Sequence, residues 1–193
     1  MKHQMRLTWA MALGSLLAIA CFGAWIFQWR AEEYSVYNAA IREAFSADAV
    51  SYLLILDRTE PAGPFGISSF HSKKLGLSLT MRASYAAKNA FRFHIAPTLD
   101  LPHPFRMVDQ DELKRAFGAG QNNSQSSDDL KSLIRRSWGV ITLSRAGFDL
   151  GGKHAIVYVQ LTYCGLCGEG TYLYLEKADG IWHVVGRAAT WIS

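Results

Sequence analysis

Apolar residues fall along this chain in three rhythms, and each rhythm predicts a different kind of element. From Leu7 to Trp29 they run without a charge; at about 1.5 Å of rise per residue a helix of that length crosses the roughly 30 Å hydrocarbon core of a bilayer. From Ala31 to Phe45 the residues Tyr34, Tyr37, Ala40, Ile41, Ala44 and Phe45 recur at helical spacing, which predicts a helix with one buried face. The third rhythm belongs to strands. Ala155–Tyr163, Thr171–Glu176 and Ile181–Gly186 are rich in β-branched and aromatic residues. They predict a three-stranded antiparallel meander, its first turn the glycine-rich CGLCGEG segment and its second the Asp179-Gly180 pair, where glycine tolerates a positive φ.

Between these stretches the pattern is patchier. The near-continuous apolarity of Val50–Leu56 suits a strand buried on both faces, and the prolines and glycines of Thr59–Gly66 predict a loop. Ser78–Asn89 reads as a short helix, Phe91–Ile95 as a brief strand, and Ala96–Pro104, with three prolines, as another loop. Asp109 stands three residues ahead of Glu112, an arrangement close to a capping box, and so predicts a two-turn helix to Phe117. Gly118–Ser127 is small and polar, a surface loop in which Asn122-Asn123-Ser124 matches a glycosylation acceptor on paper. Ser127 caps a helix over Asp128–Arg136, followed by a strand at Val140–Ser144 and a glycine turn at Gly151-Gly152. Helices first and strands last describe an α+β domain with its antiparallel sheet gathered at the C-terminus. That order resembles the cystatin-like or ketosteroid-isomerase-like cone, in architecture and not in function.

A length of 193 residues allows one ordinary domain and an appendage. The expected organisation is residues 1–30 as a cytoplasmic tail and membrane anchor, and residues 31–193 as an extracytoplasmic domain. Lys2 and Arg6 precede the apolar run while Glu32 and Glu33 follow Arg30, so the positive-inside rule places the N-terminus in the cytoplasm and the domain outside. Two other readings of the same run stay open. Ala18-Ile19-Ala20 has the form of a signal-peptidase site, and Cys21 imitates a bacterial lipobox; either changes the anchor and not the compartment. Net charge is only +4 and the Lys and Arg are scattered, which speaks against nucleic acid as a partner. The partners expected are the membrane, through residues 7–29, and an envelope protein or small ligand.

The reactive residues that stand out are Cys164 and Cys167, the only C-x-x-C. An oxidising address makes a disulfide that closes a tight hairpin the first reading. Gly165, Gly168 and Glu169 then lie on a fixed loop suited to binding. The alternative is thiol–disulfide exchange, with Cys164 attacking and Cys167 resolving. That chemistry needs a helix N-terminus behind the first thiol to lower its pKa, whereas a strand is expected here, and Glu169 acts in the opposite sense. A metal site lacks ligands, because zinc wants four and His154 and His183 belong to the far end of the meander. No cofactor is expected, since P-loop, G-x-G-x-x-G and G-x-S-x-G motifs are absent. His94, Asp100 and His103 have a spacing compatible with acid–base or metal chemistry, but in a proline loop such residues are usually solvent-facing. Trp138, Trp182 and Trp191, with Tyr158, Tyr163, Tyr172 and Tyr174, suit either a groove or, more simply, core and rim.

The run SRAGFD, then AIVYVQLTYCGLCGEGTYLYLEKADGIWHVV and the terminal WIS, resembles a widespread group of bacterial membrane-anchored proteins whose C-terminal half reads approximately LSRVGF, ALVYV, CGxLCG, LLEKxxGxW and WIS. The resemblance covers Gly139–Ser193 well and the helix from Tyr34 more loosely. Here one residue separates Gly165 from Cys167, fewer than in the group's pattern, which tightens a bridged loop. The group carries no assigned activity, so the resemblance implies an envelope location and nothing catalytic. The expected function is that of a non-catalytic binding or interaction module.

Overall fold

The computed structural model describes residues 29–45, 52–60, 67–117, 125–137, 139–164 and 167–193. The apolar run expected to cross the membrane lies outside them apart from Trp29, as do the segment after Phe45, most of the Gly118–Ser127 loop, and Gly165. Among the described residues no helix is long and apolar enough to cross a membrane. The chain separates into two compact units, Met1–Tyr34 and Ser35–Ser193.

The first helix, α1, covers residues 29–44. Then come β1 (Leu53–Leu56), α2 (Ser69–Lys74), α3 (Leu79–Lys88), β2 (Phe105–Val108), α4 (Gln110–Phe117), α5 (Gln125–Arg136), β3 (Val140–Leu143), β4 (Gly147–Phe148), β5 (His154–Thr162), β6 (Gly168–Ala178) and β7 (Ile181–Ile192). The protein is therefore α+β, as the order of patterns predicts. Its local signals hold at atomic detail. The Ser78 side chain accepts the Met81 amide at 3.2 Å to start α3, and Asp109 accepts the Glu112 amide at 2.7 Å to start α4. Asp179 and Gly180 both have positive φ, 51° and 81°, the signature of a type I′ hairpin turn between β6 and β7.

The sheet is mixed and not antiparallel throughout. Its strands lie in the order β2-β1-β3-β5-β6-β7, with β4 extending β3 along β5. β1 runs parallel to both β2 and β3, in register Leu54↔Arg106 and Leu54↔Val140, and only from β3 onward does the sheet become antiparallel. In this it departs from the expected cone. The reason is that β2, four residues directly after Pro104 with no periodicity of their own, adds a strand on the far side of β1. Other boundaries differ as well. Phe91–Ile95 reduces to a single bridge, Arg58↔His94, while α2 forms without having been foreseen. The third strand of the meander runs past Gly186 to Ile192, because two bulges absorb the twist and the missing Cβ leaves room for Leu75, 3.2 Å from where it would sit.

Both faces are covered. On one, Leu54, Leu56, Val108 and Val140 pack with Ala116 of α4 and with Leu130 and Ile134 of α5. The same face passes by strand alternation from Val140 to its partner Thr162 and on to Tyr158 and Ile156. There Met81 and Tyr85 of α3 close over Ile156, Tyr158, Tyr172 and Ala188. Gly147 lets α3 lie flat: a Cβ there would meet Tyr85 backbone and Cβ atoms at 2.5 to 2.8 Å. Arg187 projects from the opposite face, opposite Leu173, and is bonded to Glu43, so residues 35–44 of α1 lie on that side with Val36, Tyr37, Ala40 and Ile41 buried.

Candidate functional site

Cys164 and Cys167 are joined by a disulfide across the turn between β5 and β6. The Tyr163 amide donates to the Cys167 carbonyl at 3.1 Å, and the Cys167 amide points at Cys164 Sγ, 2.9 Å away. The next residue opens a strand, so the motif does not sit at the N-terminus of a helix that follows it. Of the residues expected to bind, Glu169 is exposed and Gly168 is buried. Gly168 has a steric role: a Cβ would lie 2.4 Å from the Leu161 carbonyl oxygen and 2.9 Å from the Trp191 indole. Gly170 is tighter still, because Tyr158 Oη occupies the space where its side chain would go, accepting the Trp191 Nε1 hydrogen at 2.7 Å. The glycines after Cys167 thus seat Trp191; among the described residues around the turn Tyr163 and Glu169 are exposed, and Cys164 and Cys167 are half-buried.

Beneath α3 lies a cluster of phenols. The Tyr158 and Tyr172 rings are 5.0 Å apart, Tyr85 meets Tyr172 edge-on at 6.0 Å, and His71 tilts against Tyr172 at 5.6 Å. Burial pushes the Tyr172 hydroxyl up to about 12 and raises that of Tyr85 further. These groups stay protonated, and the aromatics here belong to the core, as strand spacing suggests.

At the other end of the sheet, where β1 and β3 finish, polar residues collect. Asp57 directly follows β1, and residues 57–59 pair with 93–95: the Ile95 amide donates to the Asp57 carbonyl at 2.7 Å and the Thr59 amide to that of Phe93 at 2.8 Å. Asp57 Oδ2 is 3.5 Å from His94 Nδ1, while Asp57 Oδ1 is buried and has no hydrogen-bond partner among the described residues. Arg92 and Gln110 both reach Glu60, at 2.9 and 3.1 Å. Arg145 lies 4.6 Å over the Phe93 ring. His94 is therefore grouped with Asp57, not with the other members of its sequence cluster: Asp100 is paired at 2.8 Å with Arg42. The sequence gives one sign of this site, a carboxylate placed immediately after four fully buried apolar residues; the partner's position beyond two helices is not visible in it.

A second acid–histidine pair sits beside β5. Asp149 Oδ1 accepts the amides of Lys153 and His154 and its Oδ2 meets His154 Nδ1 at 2.8 Å. Burial acts to raise the Asp149 carboxyl, but the His154 side chain and the two amides outweigh it and hold it below the usual range. His154 stacks on Tyr174 with the rings 5.8 Å apart and nearly coplanar. Among the described residues no group of three or more His, Cys, Asp or Glu side chains is placed to hold a metal ion. No family model, curated protein or solved structure matches the chain.

Proposed function

We propose that the protein is a membrane-tethered binding module, anchored by residues 7–29 with its domain outside the cytoplasm, and that it presents the Cys164–Cys167 hairpin to an envelope partner or small ligand. The observation that supports this most directly is the closed disulfide at the tip of β5–β6, followed by a strand. A bridge across so short a loop removes little chain entropy from the unfolded state, so its effect is to fix the loop's shape. With Gly168 and Gly170 committed to Trp191, Glu169 and the bridged turn form the presented surface. The proposed location accords with the resemblance to anchored bacterial proteins, with cleavage after Ala20 or lipidation at Cys21 as other forms of the same address.

Thiol–disulfide exchange is the second reading. It is favoured by one contact, the Cys167 amide on Cys164 Sγ at 2.9 Å, which would also stabilise a thiolate on Cys164. The two readings separate in one assay with the full chain. A binding module leaves the dithiothreitol-driven reduction of insulin at its uncatalysed rate, and its reduced thiols titrate in the ordinary range. Catalysed insulin reduction, or both sulfurs found free in protein taken from its own compartment, would rule out the binding reading. A reporter fused beyond Arg30 and found in the cytoplasm would rule out the tether's orientation.

A further inference from the structure

We infer that the outer side of α3, together with the end of α2, docks on an anionic lipid surface. This goes beyond the disulfide loop and depends on neither the loop nor the tether. α3 turns Met81 and Tyr85 onto the sheet, where both are buried. At 3.6 residues per turn Leu79, Ala83 and Ala86 fall on the opposite side, and they are exposed together with Ala87. A surface helix ordinarily carries polar residues there, whereas the exposed positions of α3 hold only Thr80 and Arg82 as polar ones. Leu79 is 77% exposed, and Phe91, two residues past the C-cap Asn89, is 79% exposed. The helix is apolar on both sides, and the sheet covers one of them.

Charge identifies what covers the other. From Pro61 to Leu99 the sequence holds five Lys or Arg and no Asp or Glu. Lys73 and Lys74, in the last turn of α2, and Arg82 are exposed, with no ion-pair partner among the described residues. Around α2, Lys73 stands nearly opposite His71, which leans on Tyr172, so it faces away from the sheet as Leu79 does. Carboxylates of the adjoining segments are engaged, Glu60 by Arg92 and Asp149 by His154. An apolar strip edged with such cations matches a bilayer interface with negative headgroups. The apolar side chains enter the headgroup boundary, and each cation near the surface strengthens binding about fivefold. A second copy of the chain fits less well, because a two-fold contact through α3 sets Arg82, Lys73 and Lys74 against their own copies. A partner helix needs a groove to lie in, and Ala83, Ala86 and Ala87 give this side of α3 little relief.

Brief lysine acetylation of the full chain in lipid vesicles, read residue by residue by mass spectrometry, tests this. Vesicles of phosphatidylcholine alone are compared with an equal mixture of phosphatidylcholine and phosphatidylglycerol. Lys73 and Lys74 are expected to acetylate about fivefold more slowly in the anionic vesicles, and the protection to fade at about 1 M salt, where charges are screened. Lys177, which alternation along β6 places on the other side of the sheet from Tyr172, is expected to react equally in both. Leu79→Gln and Arg82→Gln, both changes of exposed side chains, are each expected to remove most of the protection. Equal reactivity of Lys73 and Lys74 in the two kinds of vesicle, or protection that survives in both variants, would overturn the inference. So would protection by poly-L-glutamate in detergent that Leu79→Gln leaves unaltered, which would assign the face to an acidic protein. The tether is judged separately: a chain that alkaline carbonate strips from the vesicles loses its anchor reading, while the acetylation pattern still decides the face.

Discussion

Single residues decide how closely the elements approach one another. Gly170 is the sharpest case, because Tyr158 Oη and Trp191 Nε1 stand 1.9 and 2.5 Å from where a Cβ would be. Gly170→Ala is expected to cost about 1–3 kcal/mol by overpacking, read as a lower urea midpoint with an unchanged slope. An unaltered midpoint would mean that Trp191 is not held in that seat. Asp149 makes a different prediction. Its carboxyl is held low in the folded state, so the stability it adds is present above the ordinary carboxylate pKa and is lost as pH falls through the folded value. Asp149→Asn should flatten the acid limb of a stability–pH curve and leave the neutral region less affected. Neither role shows in the sequence, where Gly170 belongs to the glycine-rich turn and Asp149 carries no motif; both depend on what another strand brings to them.

Elements with a local signal were legible, and those defined by a distant partner were not. Ser78 starting α3, Asp109 and Glu112 starting α4, and Asp179-Gly180 turning β6 into β7 are each settled within a few residues, by a side chain meeting a nearby amide or by a tolerated φ. The turn yields its own prediction. Gly180 has φ of 81° and open space around it, so Gly180→Ala pays for conformation alone, about 1 kcal/mol by thermal unfolding, while the fold stays intact. A neutral result would show that the turn relaxes to another type. β2, in contrast, is four residues without alternation, and its place beside β1 follows from the crossover through α2 and α3. The same distance hid the Asp57–His94 pair. Cys164 and Cys167 were conspicuous as a motif, and their bridge follows from nearness along the chain; what lies behind the glycines did not.

At the scale of the molecule, the disulfide ties only neighbouring residues and leaves the sheet's long-range pairings untouched. Reduction, or the Cys164→Ser, Cys167→Ser double change, is therefore expected to lower stability by less than the roughly 2–4 kcal/mol of a typical bridge while increasing amide exchange around Cys167. A collapse of the whole domain on reduction would show that the bridge holds more than its own turn.

The position of β1 has a kinetic consequence. It is the earliest strand among the described residues, yet its two neighbours in the sheet come from much later in the chain: Leu54 pairs with Arg106 and with Val140. β5, β6 and β7 need only hairpin closures, which are faster than long-range pairing. A chain emerging N-terminus first must keep an apolar LLIL segment unpaired until residues around Arg106 arrive, and its second edge open until those around Val140 do, which exposes it to aggregation or calls for a holdase during synthesis. Pulsed hydrogen exchange during refolding would show β6–β7 amides protected ahead of those of Leu53–Leu56; the reverse order would place the first long-range contact in the parallel half.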